Sequence, residues 1–187
     1  MPNNVHNAIE IPIPQEREAE LMAKIAEFAP GGHIDFARLI PRPCHIYRGN
    51  LSGEDERDFG PYTWHAWNRA NWGTKWNAYD SSMACDSGVV TLRFETAWSV
   101  PYPIIIAIAN TLNTPFTHRY LCETAEWWGI EQWGEKKFSE GVTSRIGKQC
   151  DDPDDWRSLV REFWGEDLLS ELDGEGYVPP QAREVLR

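Results

Sequence analysis

The sequence is short of positive charge, of paired cysteines and of any long apolar run. Lys and Arg number 18 against 29 Asp and Glu, a formal net charge of −11. Such a chain is repelled by phosphate backbones and by anionic lipid unless its charges are segregated, so neither nucleic acid nor a membrane is expected as a direct partner. The longest apolar run, IIIAIA at 104–109, falls far below the roughly 20 residues that span a bilayer. The opening MPNNVHNAIEIPIPQ has no basic segment ahead of an apolar core, so no secretory signal is expected and the reading is cytoplasmic.

Chemistry-bearing motifs are scarce as well. Cys44, Cys85, Cys122 and Cys150 are scattered, with no CxxC and no His pair at ligand spacing. They read as reduced thiols, mostly buried or inert, and no metal or other cofactor is expected. There is no glycine-rich phosphate loop, no nucleophile elbow and no HExxH, so no catalytic residue is nominated.

What the chain has is tryptophan. Ten occur in 187 residues, eight of them between Trp64 and Trp133, which argues against disorder there. The stretch NWGTKWNAYD (71–80) is the densest. Two readings compete for Trp64, Trp67, Trp72, Gly73 and Trp76. One is an aromatic cage gripping a base or a cation. The other is a structural corner in which Thr63 caps a short helix, Gly73 ends it, and the tryptophans seal the turn into a strand starting near Thr74. The second is preferred, with Trp72 and Trp76 both buried, because aromatic clusters at element spacing usually belong to a core.

Periodicity supplies the element order. VHNAIEIPI alternates as a strand, with Pro12 and Pro14 pointing to an edge position or an early end. QEREAELMAKIAEFAPGG has helical spacing and a Gly stop. HIDFARLIPRP reads as a packed connection, and NLSGEDERDFG as a loop. A hairpin follows, turning at DSG (86–88), with Val90, Leu92 and Phe94 inward and Thr91, Arg93 and Glu95 outward. VPYPIIIAIANTL is a second helix, FTHRYLCETA a strand, and WWGIEQWGEKKF a further strand or hairpin. Strand, helix, hairpin, helix, strand is the ferredoxin-like split βαβ pattern (βαββαβ) of an α+β domain, here with a long insertion before the hairpin.

The carboxyl-terminal part differs. Residues 151–187 hold eleven acids and four arginines, a net of −7. Asp152 suits an N-cap and Pro153 the first helical position. Trp156, Leu159, Val160, Phe163 and Trp164 then form an apolar stripe. The division expected is a ferredoxin-like domain over 1–140 and an acidic helical extension over 141–187 docked on it. Asp151, Asp152, Asp154, Asp155, Glu162, Glu166 and Asp167 are the candidate partner-binding residues, the last five of them expected to face solvent.

The MPN opening, IDFARLIPRP, NWGTKWNAYD and FETAWSVPYP resemble the YubB-like ferredoxin-like domain family of phages and plasmids. The resemblance covers about residues 1–140. It implies the fold and a mobile-element origin, and no activity, cofactor or catalytic residue. By itself the acidic extension reads as a solubilising helix surface; with the mobile-element origin the preferred expectation is a phage accessory protein that blocks a host nucleic-acid-directed defence complex, an anti-CRISPR-like inhibitor imitating the charge of DNA. The alternative is an enzyme or small-ligand binder using a Trp-lined pocket.

Overall fold

A computed structural model describes residues 3–125, 127–134, 145–148 and 153–174. The first strand, β1 (Asn4–Pro12), leads into helix α1 (Glu18–Phe28). The insertion follows, with short helices α2 (Phe36–Leu39), α3 (Gly53–Phe59) and α4 (Trp64–Asn71). Next come the hairpin strands β2 (Tyr79–Asp86) and β3 (Val89–Ala97), helix α5 (Tyr102–Leu112) and strand β4 (Phe116–Cys122). Strands β5 (Trp128–Trp133) and β6 (Arg145–Lys148) extend the sheet, and helices α6 (Pro153–Trp164) and α7 (Glu166–Gly174) complete the described chain.

Within the sheet every described pairing is antiparallel, and the strand order is β2-β3-β1-β4-β5-β6. The first four positions are the split βαβ arrangement: β1 is central, and each helix returns the chain to a strand beyond its neighbour. β1 is therefore not an edge strand. Its ladder with β3 runs to Pro12 opposite Val89, but its ladder with β4 stops at Glu10 opposite Thr117. Proline, which has no N–H to donate, falls just past the end of the second ladder.

Alternation assigns the two faces. Ile9 and Ile11 of β1, Val90, Leu92 and Phe94 of β3, Phe116 of β4 and Trp133 of β5 pack under Leu21, Ile25 and Phe28 of α1 and Ile104, Ile105, Ile108 and Leu112 of α5. The opposite face carries a second cluster. There Leu121, Ala125 and Trp128 meet Trp156, Leu159 and Val160 of α6 and Leu169 of α7. The extension thus docks on the sheet by its stripe, and β6 takes the sheet past residue 140. Asp152, the expected cap, lies outside the described residues.

Two local readings differ from expectation. NLSGEDERDFG is not a plain loop: Ser52 Oγ accepts from Asp55 N at 3.1 Å and Asp55 Oδ2 accepts from Ser52 N at 2.9 Å. This reciprocal cap starts α3, with Asp in the place usually taken by Glu. The strand after Gly73 begins at Tyr79 rather than Thr74. Residues 73–78 form a corner instead, where Thr74 Oγ1 donates to Ala97 O at 2.8 Å. The hairpin turn falls where the sequence places it, with Ser87 and Gly88 both at positive φ, the backbone that matches strand twist.

Candidate interaction surface

The acidic helices are fixed from below. Trp156, Leu159 and Val160 are fully buried, each contributing on the order of 1.5–3 kcal/mol by leaving water. A further tie comes from β1. Trp164 Nε1 donates to His6 Nε2 at 3.0 Å, and His6 Nδ1 lies 3.2 Å from Glu95 Oε1. The His6 ring stacks on Phe163, with centroids 5.7 Å apart. On the far side of the helices Asp154, Glu166, Asp167 and Glu171 are exposed, and Asp155 is half-buried. Arg161 bonds Glu166, and Arg157 approaches Asp154 at 3.9 Å, so part of this charge is balanced locally. Asp151 lies outside the described residues, like Asp152.

Glu162 does not join that surface. Its carboxylate accepts from Arg93 Nη2 at 2.8 Å and lies 2.9 Å from Arg119 Nε, with only 16% of the side chain exposed. The cause is register. Ala8 stands between Arg93 on β3 and Arg119 on β4 in the pairing of the three strands, so two guanidinium groups flank one small residue on the face that α6 covers. A residue beside the apolar stripe is drawn down onto them. Arg119 is also paired with Glu10.

The tryptophan motif divides. Trp72 is 2% exposed. Its indole donates to Ile40 O at 2.9 Å, and its ring meets Phe36 and Trp67 edge-on at 5.9 and 5.6 Å. Arg42 covers it at 4.9 Å, and its guanidinium donates to Asn68 Oδ1 at 2.8 and 3.1 Å. Burial, and then the neighbouring Arg48, push the Arg42 guanidinium below its usual pKa. Gly73 has φ +79°, and a Cβ there would stand 2.9 Å from Pro103 Cδ. Helix α4 therefore ends against the start of α5. Trp64 and Trp67 are half-buried, with Trp64 Nε1 donating to Gly49 O at 3.1 Å. Trp76 is half-buried, not buried, because the chain has not yet entered the sheet at that point. The four tryptophans do not converge on one cage.

A polar group lies inside the core. Asn7 donates to Val5 O at 2.9 Å and to Thr96 Oγ1 at 3.2 Å, which leaves its Oδ1 to accept from His118 Nε2 at 3.1 Å. His118 Nδ1 is 3.6 Å from Glu131 Oε2, and Glu131 Oε1 accepts from the Tyr102 hydroxyl at 2.8 Å. Burial, then the facing Tyr120 and Glu131, raise the Tyr102 phenol far above its usual pKa. His118 and Glu131 are 0% and 1% exposed. They align β1, β4, β5 and α5 in the interior of the fold.

Topology and sequence then converge. Residues 71–157 match the family described as "Ferredoxin-like domain in Api92-like protein". The match runs from the end of α4 to the first turn of α6. With the strand order it makes this a ferredoxin-like α+β fold. Among solved structures, protein api92 from Yersinia pseudotuberculosis is similar at 14% identity and a TM-score of 0.43. The similarity covers 70% of this chain and 58% of that one. No curated protein matches the chain.

Three features escaped sequence reasoning. The inward turn of Glu162 had one legible signal, Arg93 on an outward strand position. The His6–Trp164 bond had none, since 158 residues separate the partners. The third is Trp98, which lies outside the NWGTKW stretch and is treated below.

Proposed function

We propose that the chain is a non-catalytic binding protein of a phage or plasmid. It seats the acidic side of α6 and α7 in a basic groove of a host nucleic-acid-directed defence complex. One observation supports this reading. The buried stripe of Trp156, Leu159 and Val160 holds the helices to the sheet, so Asp154, Glu166, Asp167 and Glu171 project from a fixed frame. The charge that Arg157 and Arg161 leave unbalanced is held in place and cannot spread, and a cationic groove relieves its repulsion. Attraction then acts over about 8 Å at physiological salt and chiefly speeds association. No helix among the described residues is long and apolar enough to cross a membrane.

The test is a variant with Asp154 changed to Asn, Glu166 to Gln, Asp167 to Asn and Glu171 to Gln. Its association with candidate CRISPR effector complexes is followed at several salt concentrations, alongside displacement of bound duplex DNA. The parent associates faster as salt falls and displaces DNA, whereas the variant does neither. Equal rates for both at low salt, or no displacement of DNA by the parent, overturn the proposal.

A further inference from the structure

Trp98 is held in a conformation that a large side chain avoids. Its φ is +72° and its side chain is 43% exposed. Such backbone strain persists only where the surroundings over-determine it, and it gathers at ligand clamps. The surroundings here do so. Trp98 N donates to Asn3 O at 2.8 Å. Ser99 Oγ donates to Gly73 O at 2.5 Å, and Thr96 Oγ1 donates to Ser99 O at 2.8 Å. The His65 ring props the indole edge-on at 6.2 Å. Packing alone does not explain the strain, since a residue placed for packing would not keep 43% of its surface in solvent.

What the ring faces is a cation. Lys75 Nζ lies 4.5 Å from the Trp76 ring and 4.5 Å from the Trp98 ring. Lys75 forms no ion pair among the described residues, so ring faces alone hold its ammonium. Its backbone is anchored separately, by Asn68 Nδ2 donating to Lys75 O at 2.8 Å, and the side chain can leave without moving the corner. The field behind the pair is negative. Tyr79, three residues beyond Trp76, has its phenol pushed up to about 12 by burial and then by Glu95, Glu123 and Asp80.

We infer that Trp76 and Trp98 form a clamp for an alkylated ammonium group, and that Lys75 is its internal occupant. The class follows from competition. Lys75 is tethered beside the site and outcompetes a free primary ammonium of equal hydration. A quaternary ammonium carries no N–H to solvate, sheds water more readily, and keeps the full attraction to both ring faces. The inference is independent of the acidic helices and of any protein partner.

The probe is choline, with 3,3-dimethylbutan-1-ol as its uncharged isostere. Binding is read by tryptophan fluorescence and calorimetry. Lys75→Met removes the competitor and is expected to bind choline about tenfold tighter than the parent, with no binding of the isostere. Adding Trp98→Gly abolishes that binding while leaving the thermal midpoint unchanged or raised, since glycine accepts the positive φ. In the unaltered chain, choline releases Lys75 and raises its rate of acetylation, read by mass spectrometry without any substitution. Choline affinity unchanged in Lys75→Met, equal binding of the isostere, retained binding after Trp98→Gly, or choline-insensitive acetylation of Lys75 each overturns the clamp.

Discussion

Glu162 of α6 and Arg93 of β3 meet at 2.8 Å, with Arg119 on the other side of the same carboxylate. An acid that spacing alone assigns to the solvent side is thereby a tie between the extension and the sheet. Glu162→Gln is expected to destabilise the chain by roughly 1.5–3 kcal/mol, the range for charge-assisted hydrogen bonds. Glu171→Gln, on the exposed side, is expected to shift stability by less than about 0.5 kcal/mol. Urea unfolding of the two variants checks the contrast.

The tryptophan corner predicts an order of damage. Trp72→Ala empties a core site and is expected to cost about 3–5 kcal/mol. Trp76→Ala, at a half-buried position, is expected to cost about 1–2 kcal/mol. Gly73→Ala adds a clash with Pro103 to an unfavourable φ and is expected to cost on the order of 1–3 kcal/mol. Denaturant midpoints measured together rank the three.

Glu95 gives a pH dependence. Burial raises its pKa, and the repulsion of Asp80 and Glu123 adds to this while His6 opposes it. An acid with a raised folded-state pKa contributes stability below its unfolded pKa, and that contribution is lost as pH rises through the folded value. Glu95→Gln is therefore expected to stabilise the chain relative to the parent at pH 7. The gain disappears below about pH 4, where the parent carboxyl is protonated in both states. Unfolding curves at pH 4 and pH 7 decide this, and a constant difference would contradict it.

Thiol labelling sorts the cysteines. Cys44 and Cys85 are exposed and Cys122 is buried, so of the described thiols only Cys122 meets the buried half of the buried-or-inert expectation. Cys150 lies outside the described residues. Iodoacetamide is expected to modify Cys44 and Cys85 in the native chain and Cys122 only after unfolding, as peptide mass analysis would record.

The fold was legible because its signals are local. Alternation in residues 89–97, the apolar run of α5 and the DSG turn each fix an element within a few residues of sequence. Trp72 and Gly73 were legible for the same reason, since a helix end needs a left-handed residue and a seal. Glu162, Trp76 and Trp98 were not. Their roles depend on what crosses from a distant strand or corner: two arginines flanking Ala8, a late entry into the sheet, and a lysine between two rings. Capping by Ser52 and Asp55 was local but used the rarer acid, and it was passed over as loop.

The central position of β1 has a consequence for how the chain comes to be folded. Asn7 and His118, hydrogen-bonded in the core, are 111 residues apart in sequence. Synthesis runs from the amino end at about 5–20 residues per second, so β1 leaves the ribosome many seconds before either flanking strand exists. Ile9 and Ile11 meanwhile have no sheet, and of their two covering helices only α1, since α5 follows β3. Closing such distant pairings costs loop entropy before any contact compensates, which makes folding slow. During that interval the strand's unpaired backbone stands open to any other chain that offers an edge.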